Sequence, residues 1–265
     1  MFNFLQIHRP IDAIYSETIF TILGFKINNS TIFTIFILFL FISLCFFVIK
    51  NFKLKANKTQ IFIEIIYELI ENLIFQITGS KSQTKLILPF IGSLFLFISA
   101  SNLLGNVPGL TNITFDGKAI LRTPTADFST TFSLAIVFII AIQLVSIKDF
   151  GIFGYIGKFI KIKELYNGFR KSFKDGLFSI IDFFIGFLDI ISELAKVISL
   201  SLRLFGNIYA GIVLTSVIFT GMAYILPSVW LGMGLLFALV QAVVFSSLIT
   251  AYYVLAVKLK SKDDI

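Results

Sequence analysis

Between Arg203 and Lys258 the chain carries 54 consecutive residues without a charged side chain. As one helix this stretch would extend about 80 Å, whereas roughly 20 helical residues cross the hydrocarbon core of a bilayer. It is too apolar for the surface of a water-soluble domain and too long for a single crossing, so it must turn back. We place the turn between Gly221 and Ser228, where Pro227 interrupts the pattern.

Shorter stretches without charge precede it, at residues 27–49, 86–115 and 128–147. Each is long enough for one crossing. The whole chain is 57% hydrophobic and 14% charged, whereas a soluble domain is about 25% charged. Its 33 phenylalanines exclude a disordered chain. We therefore predict an all-α integral membrane protein with about five crossing helices.

The region before Arg203 is apolar but carries charges at Asp182, Asp189, Glu193 and Lys196. Because it contains few helix breakers, we predict one long helix that continues through Arg203. With the last segment it forms a long, tilted helical hairpin at the C-terminus. The predicted helices after the first crossing cover about 86–107, 128–147, 176–222 and 228–257.

Residues 59–78 differ in kind from the crossing helices. Glu64, Glu68 and Glu71 recur at helical spacing, with apolar residues on the opposite face. This pattern predicts an amphipathic helix that lies in the membrane interface. A helix on the aqueous side, packed against a partner, is the alternative.

The basic residues indicate the orientation. Of the 22 lysines and arginines, 16 fall on one predicted side of the membrane and 4 on the other. Under the positive-inside rule the N-terminus lies outside and the C-terminus inside. The distribution of positive charge therefore indicates the membrane topology and not a binding surface. We expect no binding to nucleic acid. Residues 1–20 show neither a signal peptide nor a transit peptide pattern, which favours a bacterial cell membrane over an organelle-encoded protein of the mitochondrial inner membrane.

Arg203 is the least expected residue of the sequence, because no acidic residue is nearer than Glu193. An arginine at the centre of a membrane helix costs about 2.5–3.5 kcal/mol, and its guanidinium keeps its charge. A snorkelling residue at a helix end is the alternative. Since a long uncharged stretch follows and Asn207 lies one turn away, we predict a functional cation.

Other residues of the same helix recur at intervals of three and four, which places them on one face. They are Asp182, Gly186, Asp189, Glu193, Lys196, Leu200, Arg203 and Asn207. Carboxylates at one end and a cation at the other predict the wall of an aqueous pathway. Charges at interface level, with Glu193 paired to Lys196, are a compatible alternative. No catalytic set, phosphate loop or ligand cluster is evident, so we expect no cofactor and no metal.

The segment Ser199–Gly211 resembles, almost residue for residue, the signature of subunit a of the F-type ATP synthase, the stator channel subunit beside the c-ring. Three further motifs agree in order: Ser101–Gly105 followed by Pro108-Gly109, then Pro124–Asp127, then Gln241-Ala242. The resemblance covers about 86–257. It implies an a-type channel domain at 85–265, preceded by an N-terminal segment with the first crossing helix (1–58) and an interfacial helix with its loop (59–84), which match the family only in placement.

The resemblance implies that Arg203 faces the ion-carrying carboxylate of the c-ring and separates two offset half-channels. It further implies that Asn207 and Gln241 line the outer half-channel, with Asp127 near its mouth. A guanidinium favours the ionised form of a carboxylate beside it, and it blocks a direct leak of cations. The inferences from the residues and from the resemblance therefore agree.

On the inner half-channel the resemblance places Asp189, with Ser192 beside it, and the stripe adds Glu193. The function implied is translocation of an ion, with a proton favoured over sodium, coupled to ATP synthesis. The chain is then a non-catalytic channel subunit of the complex. Its implied partners are the c-ring, the peripheral-stalk b subunits and membrane lipid.

The sequence departs from the family pattern at two positions. Where the family carries an acid and a histidine, nine residues after the arginine and seven before the glutamine, this chain has Ile212 and Gly234. Either Asp127 suffices, helped by water and by Tyr209, Thr215 and Ser246, or another residue has taken over the relay. Both H⁺ and Na⁺ then remain candidates for the transported ion.

The segment 158–174 is also more basic than expected. It contacts stator parts or anionic lipid, or it is a solvated loop. A function from another class is a secondary transporter that binds an anionic substrate at Arg203. Such transporters have internal repeats, and the Arg203 segment has no repeat in the first half of the chain. A scaffold is disfavoured because burying Arg203 would then serve no chemistry.

Overall fold

The computed structural model describes residues 16–22, 24–50, 57–107, 109–110, 113–115, 118–159, 173–221 and 225–258. Two compact units divide the chain. The first comprises Met1–Thr131 with Leu202–Leu248, and the second comprises Phe132–Ser201 with Ile249–Ile265. The division into three regions that the sequence suggests stays a prediction.

The described chain begins with a β-hairpin that the sequence analysis did not predict. Strand β1 (Thr18–Ile22) pairs antiparallel with β2 (Phe25–Asn28). Between them Gly24 adopts a φ of 85°, which is accessible to glycine because it has no Cβ. Helix α1 (Asn29–Lys50) follows directly and occupies most of the charge-free stretch 27–49.

Helix α2 (Lys58–Thr78) has well-defined ends. Oδ1 of Asn57 accepts a hydrogen bond from the N–H of Lys58 at 2.8 Å, which satisfies one of the free N–H groups at the helix start. Gly79 ends the helix in the left-handed region, with a φ of 68°. The helix coincides with the amphipathic segment 59–78, and its location in the membrane interface stays a prediction.

Helix α3 (Lys81–Gly105) packs against α2. A Cβ built on Gly92 would lie 3.9 Å from Cγ2 of Ile70, a buried residue of α2. The hydroxyl groups of Thr78 and Thr84 are 2.7 Å apart across the turn that joins the two helices. The turn therefore holds α2 and α3 side by side through both apolar and polar contacts.

Three short elements and a long helix follow: β3 (Thr114–Phe115), β4 (Lys118–Ala119), a 3-10 turn (Pro124–Ala126) and α4 (Phe128–Phe159). The part of α4 that is long and apolar enough to cross a membrane, Phe128–Lys148, agrees with the predicted 128–147, and the helical residues after Gly151 follow a kink. The backbone is non-helical only at Gly151, whose φ is 74°.

The C-terminal part consists of two long helices, α5 (Phe173–Gly221) and α6 (Ile225–Lys258). The sequence predicts them at 176–222 and 228–257. Helix α6 starts earlier and contains Pro227 in its first turn, where the missing N–H removes no helical hydrogen bond. Most of the basic segment 158–174 lies outside the described residues, so the expectations for it stay predictions.

Five helices in the described ranges are long and apolar enough to cross a membrane, at Asn29–Lys50, Lys81–Gly105, Phe128–Lys148, Phe184–Thr215 and Ser228–Val257. Large apolar side chains on α1 point away from the protein, since Phe39 and Ile49 expose 71% and 76% of their surface. Such surface is suited to lipid. The predicted fold class, an all-α multi-pass membrane protein with five crossing helices, is confirmed.

Candidate functional site

Arg203 lies on α5, within the membrane-length segment Phe184–Thr215. Its side chain is half-buried. Among the described residues, none forms a hydrogen bond or ion pair with its guanidinium. An arginine near the centre of a membrane helix costs about 2.5–3.5 kcal/mol, and the guanidinium of Arg203 is available to an anionic group.

Asn207 and Gln241, predicted to lie on facing helices, meet across α5 and α6. Nδ2 of Asn207 donates to Oε1 of Gln241 at 2.7 Å. Gln241 is 5% exposed, and its Nε2 has no partner among the described residues. A buried amide N–H without a partner loses free energy unless water or a ligand satisfies it. The pair therefore leaves one donor free at a largely buried position.

The motifs at Ser101–Gly105 and Pro124–Asp127 are in contact in the folded structure. Oδ1 of Asn102 accepts a hydrogen bond from Oγ1 of Thr125 at 2.5 Å, and both residues are buried. Gly105 permits this approach, because a Cβ there would collide with the side chain of Thr123. The motif at the end of α3 and the 3-10 turn thus form one packed unit. Pro108 lies outside the described residues.

Asp127, predicted to lie near the mouth of the outer half-channel, is only 1% exposed. Its carboxylate oxygens accept hydrogen bonds from the Ser129 N–H at 3.3 Å, and from the hydroxyls of Ser129 and Thr130 at 3.0 Å. This arrangement caps the start of α4. The hydroxyl of Ser30, at the start of α1, also donates to Oδ2 at 3.0 Å. Ser30 was not predicted from the sequence, because helical periodicity gives no information about which helices meet.

Glu193 is the centre of a polar cluster on α5 and α4. Lys196 donates to its Oε1 at 2.7 Å, which is the ion pair that the spacing predicts. Nε2 of Gln143 donates to Oε2 at 2.7 Å. The ammonium of Lys196 also lies 5.2 Å from the ring centroid of Tyr252. Gln143 is the one amide in the charge-free stretch 128–147, a signal that sequence analysis did not use.

Asp189 and Ser192 complete the predicted inner lining. Asp189 is half-buried and Ser192 is exposed. Within the described ranges, neither side chain has a hydrogen-bond or ion-pair partner, so Asp189 differs from the fully paired Glu193. The side chain of Asp182, the first residue of the predicted stripe, lies outside the described residues.

The remaining residues considered for a relay have other contacts. The hydroxyl of Thr215 donates to the C=O of Gly211 at 2.7 Å and accepts from Nε1 of Trp230 at 2.8 Å. The ring of Tyr209 stacks on Phe205 with 5.2 Å between centroids. Ser246 is buried. Thr215 therefore already uses its single proton inside the protein.

Comparison with known proteins finds a family that matches most of the chain and several proteins of similar sequence. The family described as "ATP synthase A chain" matches residues 31–254. The ATP synthase subunit a of Albidiferax ferrireducens is 30% identical over 205 residues, which cover 77% of this chain and 75% of that protein. The subunit a of Moorella thermoacetica is 31% identical over 193 residues, with coverage of 73% and 72%. A protein of Propionigenium modestum, described as "ATP synthase subunit a, sodium ion specific", is 30% identical over 234 residues, with coverage of 86% and 74%.

Proposed function

The chain belongs to the ATP synthase A chain family, and we propose that it forms the stationary ion path against which the c-ring rotates. As a subunit a of the F-type ATP synthase it is a component of that complex, and it takes part in ion translocation in the membrane sector. The observation that carries the proposal is Arg203, a cation on a membrane-length helix without a partner among the described residues. The relatives give no support to a secondary transporter.

Arg203 acts on the carboxylate that each c subunit carries past it. A guanidinium at short range favours the ionised carboxylate, so an approaching c subunit releases its ion before it passes. The same positive charge repels a cation that would cross directly between the two half-channels. Ions therefore reach the other side of the membrane only while they are bound to a c subunit of the rotating ring. Apart from passing on the ion, the subunit itself carries out no chemical reaction.

The outer half-channel in this proposal runs beside the Asn207–Gln241 pair. The free N–H of Gln241 Nε2 donates to water at a buried position, and the exposed side of Asn207 extends the polar surface. An amide neither gains nor loses a proton at physiological pH, so these residues hold water in line and do not carry the charge themselves. Asp127 lies near the mouth of this path.

The inner half-channel runs along Asp189, Ser192 and Glu193. The charge of Glu193 is balanced by Lys196, and both of its oxygens accept hydrogen bonds. Asp189 has no such partner within the described ranges. Asp189 is therefore the carboxylate that exchanges the ion, while the Glu193 cluster holds the polar wall in place.

Replacing Asp189 by asparagine is expected to slow ion conduction by roughly tenfold or more, because an amide cannot take up and release a proton. The complex should assemble normally, since Asp189 bonds to no described residue. Passive conduction through membrane vesicles stripped of the catalytic sector measures the effect. Asp189→Glu is the conservative control and should keep most of the conduction. Unchanged conduction in Asp189→Asn would reduce Asp189 to an interface charge.

The ion proposed is a proton, and the membrane is a bacterial cell membrane with the N-terminus outside and the C-terminus in the cytoplasm. The 16 to 4 distribution of basic residues supports this orientation. An organelle-encoded subunit of the mitochondrial inner membrane is the alternative. Besides the c-ring, the proposed partners are the peripheral-stalk b subunits and the surrounding lipid.

Co-purification tests the proposal. The chain is tagged, expressed in its own membrane and isolated in a mild detergent. We expect the c-ring and the b subunits to be isolated with it, and ATP synthesis in reconstituted vesicles to follow a proton gradient. A chain isolated alone would contradict the proposal. Synthesis driven by a sodium gradient, without a pH gradient, would change the ion but keep the mechanism.

A further inference from the structure

Asn106, the residue directly after α3, reaches across to α6. Its Nδ2 donates to the C=O of Asn102 at 3.0 Å and to the C=O of Gly234 at 3.2 Å. Both Asn106 and Gly234 are half-buried. Oδ1 of Asn106 accepts no hydrogen bond from the described residues, so it is a free acceptor that the described part of the chain does not fully enclose.

Gly234 has no side chain, which leaves space for the amide of Asn106. A Cβ built on Gly234 would lie 3.0 Å from Oδ1 and 3.5 Å from Cγ of Asn106. That contact is tighter than ordinary van der Waals packing. The amide of Asn106 thus occupies the space into which a side chain at position 234 would extend.

The Asn106–Gly234 contact lies in line with two other polar contacts on one face of α6. Trp230, Gly234 and Gln241 follow one another at intervals of four and seven residues, which correspond to about one and two helical turns. Trp230 bonds to Thr215, and Gln241 bonds to Asn207. Polar groups therefore recur along about 16 Å of α6.

We propose that Asn106 lines the outer ion path at the level of Gly234, where it supplies a polar group in place of an ionisable side chain. This inference rests on the function proposed above. Because an amide does not titrate near neutral pH, Asn106 is a positioning residue. Its Oδ1 accepts a hydrogen bond from water, and its Nδ2 is held by two backbone carbonyls, so the water is held in a fixed orientation. The ion crosses this level through water and not on a protein group.

The test is a double-mutant cycle on passive ion conduction through the membrane sector. In Asn106→Ala the acceptor is lost, and we expect conduction to fall about fivefold, the effect of one net hydrogen bond. Gly234→Ala leaves Asn106 in place but displaces its amide, so a similar fall is expected. The double variant should again show about a fivefold fall and not the product of the two. Val107→Ala, a change at the neighbouring exposed residue, is the matched control and should conduct normally.

The possible outcomes separate this inference from the proposed function. Assembly is measured first, by the amount of c-ring isolated with each variant. Normal conduction in both single variants would overturn the role of Asn106, provided that Arg203→Ala abolishes coupled synthesis in the same membranes. If Arg203→Ala also has no effect, the proposed function fails. A product of the two single effects in the double variant would show that Gly234→Ala acts independently of Asn106, which contradicts the inference. Where Asn106→Ala does not assemble, Gly234→Ala decides alone: a fall in conduction supports the role of Asn106, and normal conduction overturns it.

Discussion

Arg203→Ala is expected to abolish ATP synthesis driven by an ion gradient, to below about one hundredth of the unmodified rate, a loss of the size seen when a preorganised electrostatic group is removed. Without the guanidinium, the ionised form of an approaching c-ring carboxylate is no longer stabilised, so the carboxylate keeps its ion. No positive charge then repels a cation between the two half-channels. Passive conduction of the membrane sector should therefore persist as an uncoupled leak. Synthesis and conduction, measured on the same vesicles, distinguish loss of coupling from loss of the path.

Arg203→Lys is expected to be nearly as severe. Lysine supplies a positive charge, but its ammonium is a compact point charge that deprotonates when buried, and it lacks the planar fork that binds a carboxylate at two oxygens. Leu202→Ala is the matched control, since Leu202 adjoins Arg203 and is exposed. It should retain coupling. Coupled synthesis at a normal rate in Arg203→Ala would remove the basis of the proposed function.

Asp127→Ala is expected to lower the stability of the folded subunit by about 2–4 kcal/mol. The helix cap of α4 is worth about 1 kcal/mol, and hydroxyl donors that lose a buried acceptor cost about 1–3 kcal/mol. Ser30, Ser129 and Thr130 all donate to this carboxylate. The loss should appear as a lower thermal midpoint of the purified complex and as less assembled complex in the membrane.

Asp127→Asn separates the cap from a role in conduction. Asparagine caps helices about as well as aspartate, so assembly should be close to normal. If the carboxylate also serves the mouth of the outer half-channel, conduction falls in this variant even though the complex assembles. Normal conduction together with normal assembly would assign Asp127 to structure alone. Normal stability of Asp127→Ala would contradict the role of the cap.

The fold was predictable from the sequence because its strongest signal is local. A run of 20 or more residues without charge has few alternatives to a membrane helix, and the described helices α1, α3, α4, α5 and α6 each overlap such a run. The β1–β2 hairpin was missed, since a short apolar strand and the start of a membrane helix have similar composition. The apolar part of α4, Phe128–Lys148, was predicted to within one residue, because the charge of Lys148 marks the end of the apolar segment.

The candidate site was predictable only in part. The Glu193–Lys196 ion pair follows from spacing within one helix. The partners of Glu193 and Asp127 from other helices, Gln143 and Ser30, depend on which helices meet and in what register, and periodicity does not encode either. The same holds for Asn106, whose hydrogen bond to Gly234 depends on where the end of α3 meets α6. The role of Arg203 was inferred from the free-energy cost of an arginine in a membrane helix and from the motif around it. This role stays a prediction.

The bond between Ser30 and Asp127 also has a consequence for how the subunit is made. The two residues are 97 positions apart in sequence, and Asn29, next to Ser30, donates to the C=O of Ala119, 90 positions away. At a synthesis rate of about 5–20 residues per second, Ser30 waits about 5–20 s for its partner. Neither bond can form before Ala119 and Asp127 have been synthesised, so the start of α1 makes its final contacts only when the third crossing begins to form.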